Sequence, residues 1–285
     1  MKAPLTTQAI VLARGMGTRM RQSGNGELGT GNEHVSGAAL DPAQSAAAER
    51  GAKAMMPVGG RPFLDYILSA LADVDITDVV LVVAPEHEEF RRYYGETAVP
   101  KRVRIRFAVQ AEPRGTADAI LAARGTVKNA PFLALNSDNY YPQAAYRALA
   151  ELGASGLVAF EAETLIQESG IERERVLRYA LVESDRGWLR SIREKPSADD
   201  PLAKRAERWV SMNVWSFTPR IFEACEHVRP SSRGELEIQD AVTIAMNELG
   251  ERFEVLQMSA SVLDLSNRGD IAFVASRLKN IVPKP

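Results

Sequence analysis

The 285-residue chain carries 35 basic and 37 acidic side chains, a formal net charge of -2, and 45% hydrophobic residues, enough to bury one full core with appendages. The balanced charge excludes an electrostatic footprint for a nucleic-acid backbone or an anionic membrane. One cysteine, Cys225, and three scattered histidines, His34, His87 and His227, exclude an internal disulfide, a thiolate zinc cluster and an evident metal triad.

Near the start, the apolar run Gln8 to Ala13 is too short to span a bilayer and is followed by no signal-cleavage pattern, so a reducing cytoplasm is the expected location. Residues 9–13, 79–84, 103–110 and 132–135 are near-continuous apolar runs, which predict strands of a parallel sheet covered on both faces. Phe63, Ile67, Leu68 and Leu71 fall at helical spacing, and Pro113-Arg114-Gly115 opens a second helical stretch over 116–124. Residues 22–51 interrupt this alternation. Their Gly-, Asn- and Ser-rich part, 23–37, predicts a mobile flap, after which Asp41-Pro42 caps a short Ala-rich helix ending at Arg50. Beyond Gly156, strands are expected over 157–162, 178–183, 189–193 and 210–217, extending the sheet in the antiparallel sense. Helices follow near 219–227, 237–249 and 270–278.

The expected fold is therefore one α/β domain: a doubly wound, mixed but mainly parallel, Rossmann-like sheet with a flexible insertion after the first strand. Ligands of open sheets collect at strand carboxyl ends, which directs attention to the residues after Ala13, Gln110 and Leu135. The first of these is the loop Leu12-Ala13-Arg14-Gly15-Met16-Gly17-Thr18-Arg19-Met20-Arg21, where two glycines let backbone N–H groups approach an anion and arginines add charge. It reads as a phosphate loop. Met20 breaks the dinucleotide fingerprint, and no Gly-Lys pair exists for a Walker A motif. After the second, Gln110-Ala111-Glu112-Pro113-Arg114-Gly115-Thr116-Ala117 offers an amide that both donates and accepts. After the third, Asn136-Ser137-Asp138-Asn139 places a carboxylate where magnesium bridging substrate phosphates is commonly held.

The loop and the segment Ala52-Lys53-Ala54-Met55-Met56-Pro57-Val58 together resemble the two-part signature of the sugar-1-phosphate nucleotidylyltransferases, the family that includes the glucose-1-phosphate thymidylyltransferases. Further segments match in order: 110–117, 136–139, Glu194-Lys195-Pro196, 210–217, 233–240 and 262–267. The resemblance implies that Leu12, Ala13, Arg14, Gly15, Gly17 and Thr18 wrap the triphosphate with Arg19 and Lys53. It implies that Gln110 reads the nucleobase edge, with Gly115 under the base and Thr116 beside it. Asp138 and Asp264 would hold Mg2+, and Asn139, Glu194, Lys195, Asn213 and Trp215 would contact the acceptor, with Lys195 neutralising its phosphate. Arg19, Lys53, Asp138 and Lys195 carry the catalytic expectation.

Several positions depart from the family pattern. Arg14 replaces a small residue, the spacer from Arg19 to Lys53 is long, and Asn213, Trp215 and Gln239 stand where glycine, tyrosine and threonine are usual. The motif around Asp264 keeps the aspartate alone. The implied reaction joins a nucleoside triphosphate to a sugar or cyclitol 1-phosphate and releases pyrophosphate, with residues 1–150 mainly serving the nucleotide and 151–285 the acceptor. No nucleic acid or membrane partner is expected, and a homo-oligomer is left open. Since Ser266 to Pro285 alone follow the last motif, no appended β-helix domain is expected. The competing reading is a non-catalytic relative that binds sugar nucleotides as a regulator; a nicotinamide oxidoreductase is disfavoured by the glycine spacing.

Overall fold

In the first strand, β1 (Gln8–Leu12), alternate side chains feed two separate cores: Ala9 and Val11 join one hydrophobic cluster and Ile10 the other. This is the period of two expected of a strand packed on both faces. The computed structural model describes residues 6–15, 41–50, 53–197 and 199–285. Gly17, Thr18, Arg19 and most of the expected flap, 22–40, therefore lie outside the described residues.

The other strands of the first half are β2 (Pro57–Val58), β3 (Arg61–Pro62), β4 (Asp78–Val83), β5 (Arg104–Val109), β6 (Phe132–Asn136) and β7 (Asn139–Tyr140). The second half adds β8 (Gly156–Glu161), β9 (Ala180–Asp185), β10 (Trp188–Arg193), β11 (Trp209–Phe217), β12 (Glu254–Met258) and β13 (Leu263–Asp264). Nine of them form one sheet in the order β5-β4-β1-β6-β11-β8-β12-β10-β9. Helices α1 (Pro42–Arg50), α2 (Phe63–Ala72), α3 (Glu88–Arg92), α4 (Thr116–Ala122) and α5 (Gln143–Leu152) belong to the first half. The second half contributes α6 (Ala162–Glu168), α7 (Arg173–Val176), α8 (Ile221–His227), α9 (Ile238–Asn247) and α10 (Asp270–Leu278). Residues of α2, α5 and α10 enter the core with Ala9 and Val11, while α4, α8 and α9 enter the core with Ile10, so helices cover both faces. No helix among the described residues is long and apolar enough to cross a membrane.

The expectation of a mainly parallel sheet holds for one half. Pairs β5–β4, β4–β1, β1–β6 and β8–β12 are parallel, whereas β6–β11, β11–β8, β12–β10 and β10–β9 are antiparallel. The sequence reading passed over β12, whose Glu254 and Gln257 interrupt the apolar run. β5 is an edge strand, which explains its arginines: Arg104 is exposed, and Arg106 donates to Asp78 Oδ1 at 2.8 Å. The flap ends in a docked helix. Asp41 Oδ1 accepts from Gln44 N at 2.8 Å and Gln44 Oε1 accepts from Asp41 N at 3.2 Å, a reciprocal cap ahead of Pro42. Gln44 Nε2 then donates to Pro57 O at 3.1 Å and Ala47 is buried, which fastens α1 to the body.

Candidate active site

Three strand ends meet at one edge of the sheet. Leu12 is registered between Val82 of β4 and Asn136 of β6, and Ala13 N–H still donates to Val82 O at 2.8 Å as the chain leaves β1. Ser137 N–H donates to Leu12 O at 3.2 Å, and Gln110 N–H to Val83 O at 3.0 Å. The loops after β1, β5 and β6 are thereby held side by side around a cleft of about 340 Å3. Its walls include Leu12, Ala13, Arg14 and Gly15 on one side and Gln110, Gly115 and Thr116 on another, with Lys53 and Asp138 among the residues that line it.

Lys53 reaches the cleft from a single turn, Lys53–Met55, that the buried Ala54 and Met56 anchor in the core. Its Nζ sits 2.7 Å from Asp138 Oδ2, with 14% of the lysine side chain and 27% of the aspartate side chain exposed. Two charges expected to serve a ligand thus neutralise one another, close to water and able to part. Arg14, expected at the triphosphate, is held among the described residues by two backbone carbonyls. Its Nε donates to Gln110 O at 3.1 Å and its Nη2 to Ala111 O at 3.2 Å, tying the loop after β1 to the end of β5 through a planar fork.

The 110–117 segment is built around its own contacts. The buried Gln110 donates from Nε2 to Gly115 O at 3.0 Å and to Asp118 Oδ2 at 2.8 Å, so the amide N–H groups hold the turn and leave Oε1 as the side available to a ligand. Gly115 has φ +116°, and a Cβ there would stand 2.4 Å from Leu236 O. Its smallness therefore serves a close backbone approach in addition to any nucleobase. The approach is fixed on both sides, Leu236 N–H donating to Arg114 O at 2.7 Å and Ala117 N–H to Leu236 O at 2.9 Å. Ile238 N–H donates to Thr116 Oγ1 at 2.9 Å. The segments 110–117 and 233–240 form one clasp, which brings Glu235 and Glu237 into the cleft wall. Both glutamates lie in the matched segment 233–240, to which the resemblance gave no site residue. Arg233 bridges them, Nη1 to Glu235 Oε2 at 3.3 Å and Nη2 to Glu237 Oε1.

Further from the cleft, Lys195 is exposed at φ +45°, a left-handed conformation that a lysine adopts only where the loop demands it. Burial pushes the Glu194 carboxyl above its ordinary pKa, with Arg233 and Lys195 pulling it back. Asn213 has φ +58°, which explains why glycine suits this position and asparagine is tolerated in its place. It sits in a bulge between Ser211 and Trp215. Asn139 is buried and paired opposite Asp264 between β7 and β13.

One expected role needs correction, and a second residue is engaged by the protein's own side chains. Trp215 is 1% exposed and stacks on Phe217 with ring centroids 5.5 Å apart, so it is a core residue and presents no face to an acceptor. Asp264 accepts from Tyr179 OH at 2.8 Å, from Ser266 Oγ at 2.6 Å and from Arg175 Nη2, and Arg175 also donates to Asp270 Oδ1 at 3.1 Å. A metal ion at Asp264 would share the carboxylate with, or displace, the Arg175 guanidinium. Only a tertiary contact reveals this network, since Arg175 and Asp264 lie far apart in sequence.

A family model described as nucleotidyl transferase matches residues 48–262. A UTP–glucose-1-phosphate uridylyltransferase of Haloferax volcanii is 27% identical over 277 residues, covering 95% of this chain and 96% of that protein. A glucose-1-phosphate thymidylyltransferase of Neisseria gonorrhoeae is 26% identical over 234 residues, covering 80% and 76%. Among solved structures, a UDP-glucose pyrophosphorylase complexed with UDP-glucose superposes with a TM-score of 0.71 at 15% identity, covering 96% of this chain and 99% of that one. A Bacillus anthracis structure described as a glucose-1-phosphate thymidylyltransferase in complex with sucrose gives 0.70 at 18% identity, covering 96% of each chain. These two likenesses concern the fold.

Proposed function

The chain belongs to the nucleotidyl transferase family, and from that premise we propose that it transfers a nucleoside monophosphate from a triphosphate to a sugar or cyclitol 1-phosphate. An acceptor phosphate oxygen forms the new bond to the α-phosphorus, and the bond from that phosphorus to the bridging oxygen breaks, the electron pair leaving with pyrophosphate. The observation that carries this reading is the Lys53–Asp138 pair, 2.7 Å apart, in a cleft bounded by the ends of β1, β5 and β6. It puts one separable cation and one separable anion where phosphates collect in such sheets.

Mg2+ would be held in this cleft by Asp138, Asp264 being engaged by Arg175. One carboxylate plus substrate phosphate oxygens is a usual way of holding this cation, and the carboxylate's pairing with the Lys53 ammonium is compatible with that role. When bound, Mg2+ would supply charge neutralisation to the reacting phosphates. Lys53, freed from Asp138, would stabilise the departing pyrophosphate together with Arg19, and Lys195 would orient the acceptor phosphate. Gln110 would offer Oε1 to a donor on the base edge. The relatives in the comparisons are named for glucose 1-phosphate, which supports a sugar phosphate as the acceptor. Pyrophosphate release that requires a triphosphate, magnesium and an acceptor phosphate together is the test; turnover independent of the acceptor would reject it.

A further inference from the structure

Asp138 and Asp264 are neighbours across two short strands, yet their carboxylates stand in different surroundings. Asp264 is paired opposite Asn139 between β13 and β7, and Leu265 N–H donates to Asp138 O at 2.8 Å, so the two backbones are fixed side by side. Asp138 lines the cleft, 27% of its side chain is exposed, and the Lys53 ammonium is its side-chain partner among the described residues. Asp264 is not among the described residues that line the cleft, and 4% of its side chain is exposed.

Both oxygens of the Asp264 carboxylate accept hydrogen bonds. Oδ1 accepts from Ser266 Oγ at 2.6 Å, and Oδ2 accepts from Tyr179 OH at 2.8 Å and from Arg175 Nη2. Arg175 is less free to swing clear than a lysine, because its planar head is pinned at the other end. Its Nη1 donates to Asp270 Oδ1 at 3.1 Å and to Asp270 Oδ2 at 3.2 Å. Asp270 has further support of its own: its Oδ2 accepts from Ser266 N–H at 2.7 Å and Asn267 N–H at 2.8 Å at the start of α10. Arg175 is thus the counter-ion on which Asp264 depends, and separating a buried ion pair leaves a charge uncompensated.

We propose that Arg175 withholds Asp264 from metal binding, so that this chain holds its divalent ion through one carboxylate, Asp138, with phosphate oxygens and water completing the shell. The pair of metal-binding aspartates that the sequence resemblance implies is thereby reduced to one. The proposal rests on the nucleotidyl-transfer reading for the presence of a divalent ion at Asp138. Arg175 is a positioning residue that acts through Asp264 and sets how many protein ligands the site offers.

The test uses the full chain and Mn2+, whose electron paramagnetic resonance signal reports binding without turnover. Titrations are run with Mn2+ alone and with α,β-methylene analogues of the common nucleoside triphosphates, and each variant is checked for a cooperative melt. The accepted analogue should raise wild-type Mn2+ affinity roughly tenfold or more, since one carboxylate leaves most ligands to the phosphates; equal affinity with and without every analogue overturns the proposal. Asp264→Asn, which keeps the side chain's shape, should bind Mn2+ within about twofold of the wild type, whereas a loss of roughly tenfold or more would mark Asp264 as a ligand and overturn the proposal. Arg175→Met should free Asp264 and tighten Mn2+ binding roughly fivefold or more, and adding Asp264→Asn should remove that gain. Unchanged or weaker binding by a folded Arg175→Met protein also overturns the proposal, and should that variant not fold, the Asp264→Asn titration decides alone. Mn2+ binding in the expected pattern without pyrophosphate release would leave the proposal standing and reject the transfer reading. Pyrophosphate release together with Mn2+ binding that depends on Asp264 in the wild-type background would do the reverse, and a wild-type protein that binds no Mn2+ under either condition would overturn both.

Discussion

Replacing Gly115 with alanine should cost roughly 3 to 5 kcal/mol of stability. The residue sits at φ +116° and ψ -179°, a region essentially reserved for glycine, and holding a side chain there costs about 1 to 3 kcal/mol. The added Cβ would also stand 2.4 Å from Leu236 O, 2.6 Å from Leu236 N and 2.9 Å from Leu236 C. Those atoms cannot retreat cheaply, because Leu236 donates to Arg114 O at 2.7 Å and accepts from Ala117 N–H at 2.9 Å. Opening the contact strains both hydrogen bonds, at about 1 kcal/mol each. Urea unfolding followed by circular dichroism would read the loss, and the melting temperature should fall by roughly 6 to 20 °C. A loss below about 1 kcal/mol would rule out the strained close approach to Leu236, since strain alone should exceed it. A variant that melts like the wild type and binds triphosphate poorly would show instead that the glycine is there for the nucleobase.

Asp138→Asn should lower turnover about a hundredfold or more while costing about 1 kcal/mol of stability, because the pair with Lys53 is partly exposed. Near-normal pyrophosphate release from that variant would place the metal elsewhere. Arg14→Gly removes the fork onto Gln110 O and Ala111 O, and should raise the nucleotide KM by about tenfold or more with the acceptor KM unchanged, checked by varying each substrate in turn. Burial raises the Glu194 pKa, so its protonated form favours the fold, and that contribution is present below the ordinary carboxyl range and lost as pH rises through the folded value. Glu194→Gln, which mimics the neutral acid, should therefore melt higher than wild type at about pH 8 and converge with it at about pH 4. An equal difference at both would reject burial as the cause.

The parallel half was legible because buried strands leave a plain mark, as in Asp78–Val83, where every residue is buried and nearly every one is apolar. β12 was not, since its Glu254 and Gln257 dilute the pattern while its register against β8 is set by the neighbouring strand. In the site, the loop residues Leu12 to Gly15, with Lys53, Gln110, Gly115, Thr116 and Asp138, were found by motif and do line one cleft. Trp215 was misread, and the network around Asp264 missed, for the same reason. A motif gives a residue's place in sequence, but the side of the bulge at Asn213 and the reach of Arg175 are decided by packing between distant segments. Gly115 and Asn213 show the converse, positions whose residue type is explained by backbone conformation.

Nucleotide transfer to a ring phosphate is the activity proposed for this cleft. A matrix of the common nucleoside triphosphates against sugar and cyclitol 1-phosphates, read by pyrophosphate release with and without a magnesium chelator, tests it directly. Release should be confined to particular pairs, matched by formation of the coupled nucleotide product and abolished by the chelator. Release that ignores the acceptor, or ligand binding across the whole matrix with no pyrophosphate formed, would contradict it.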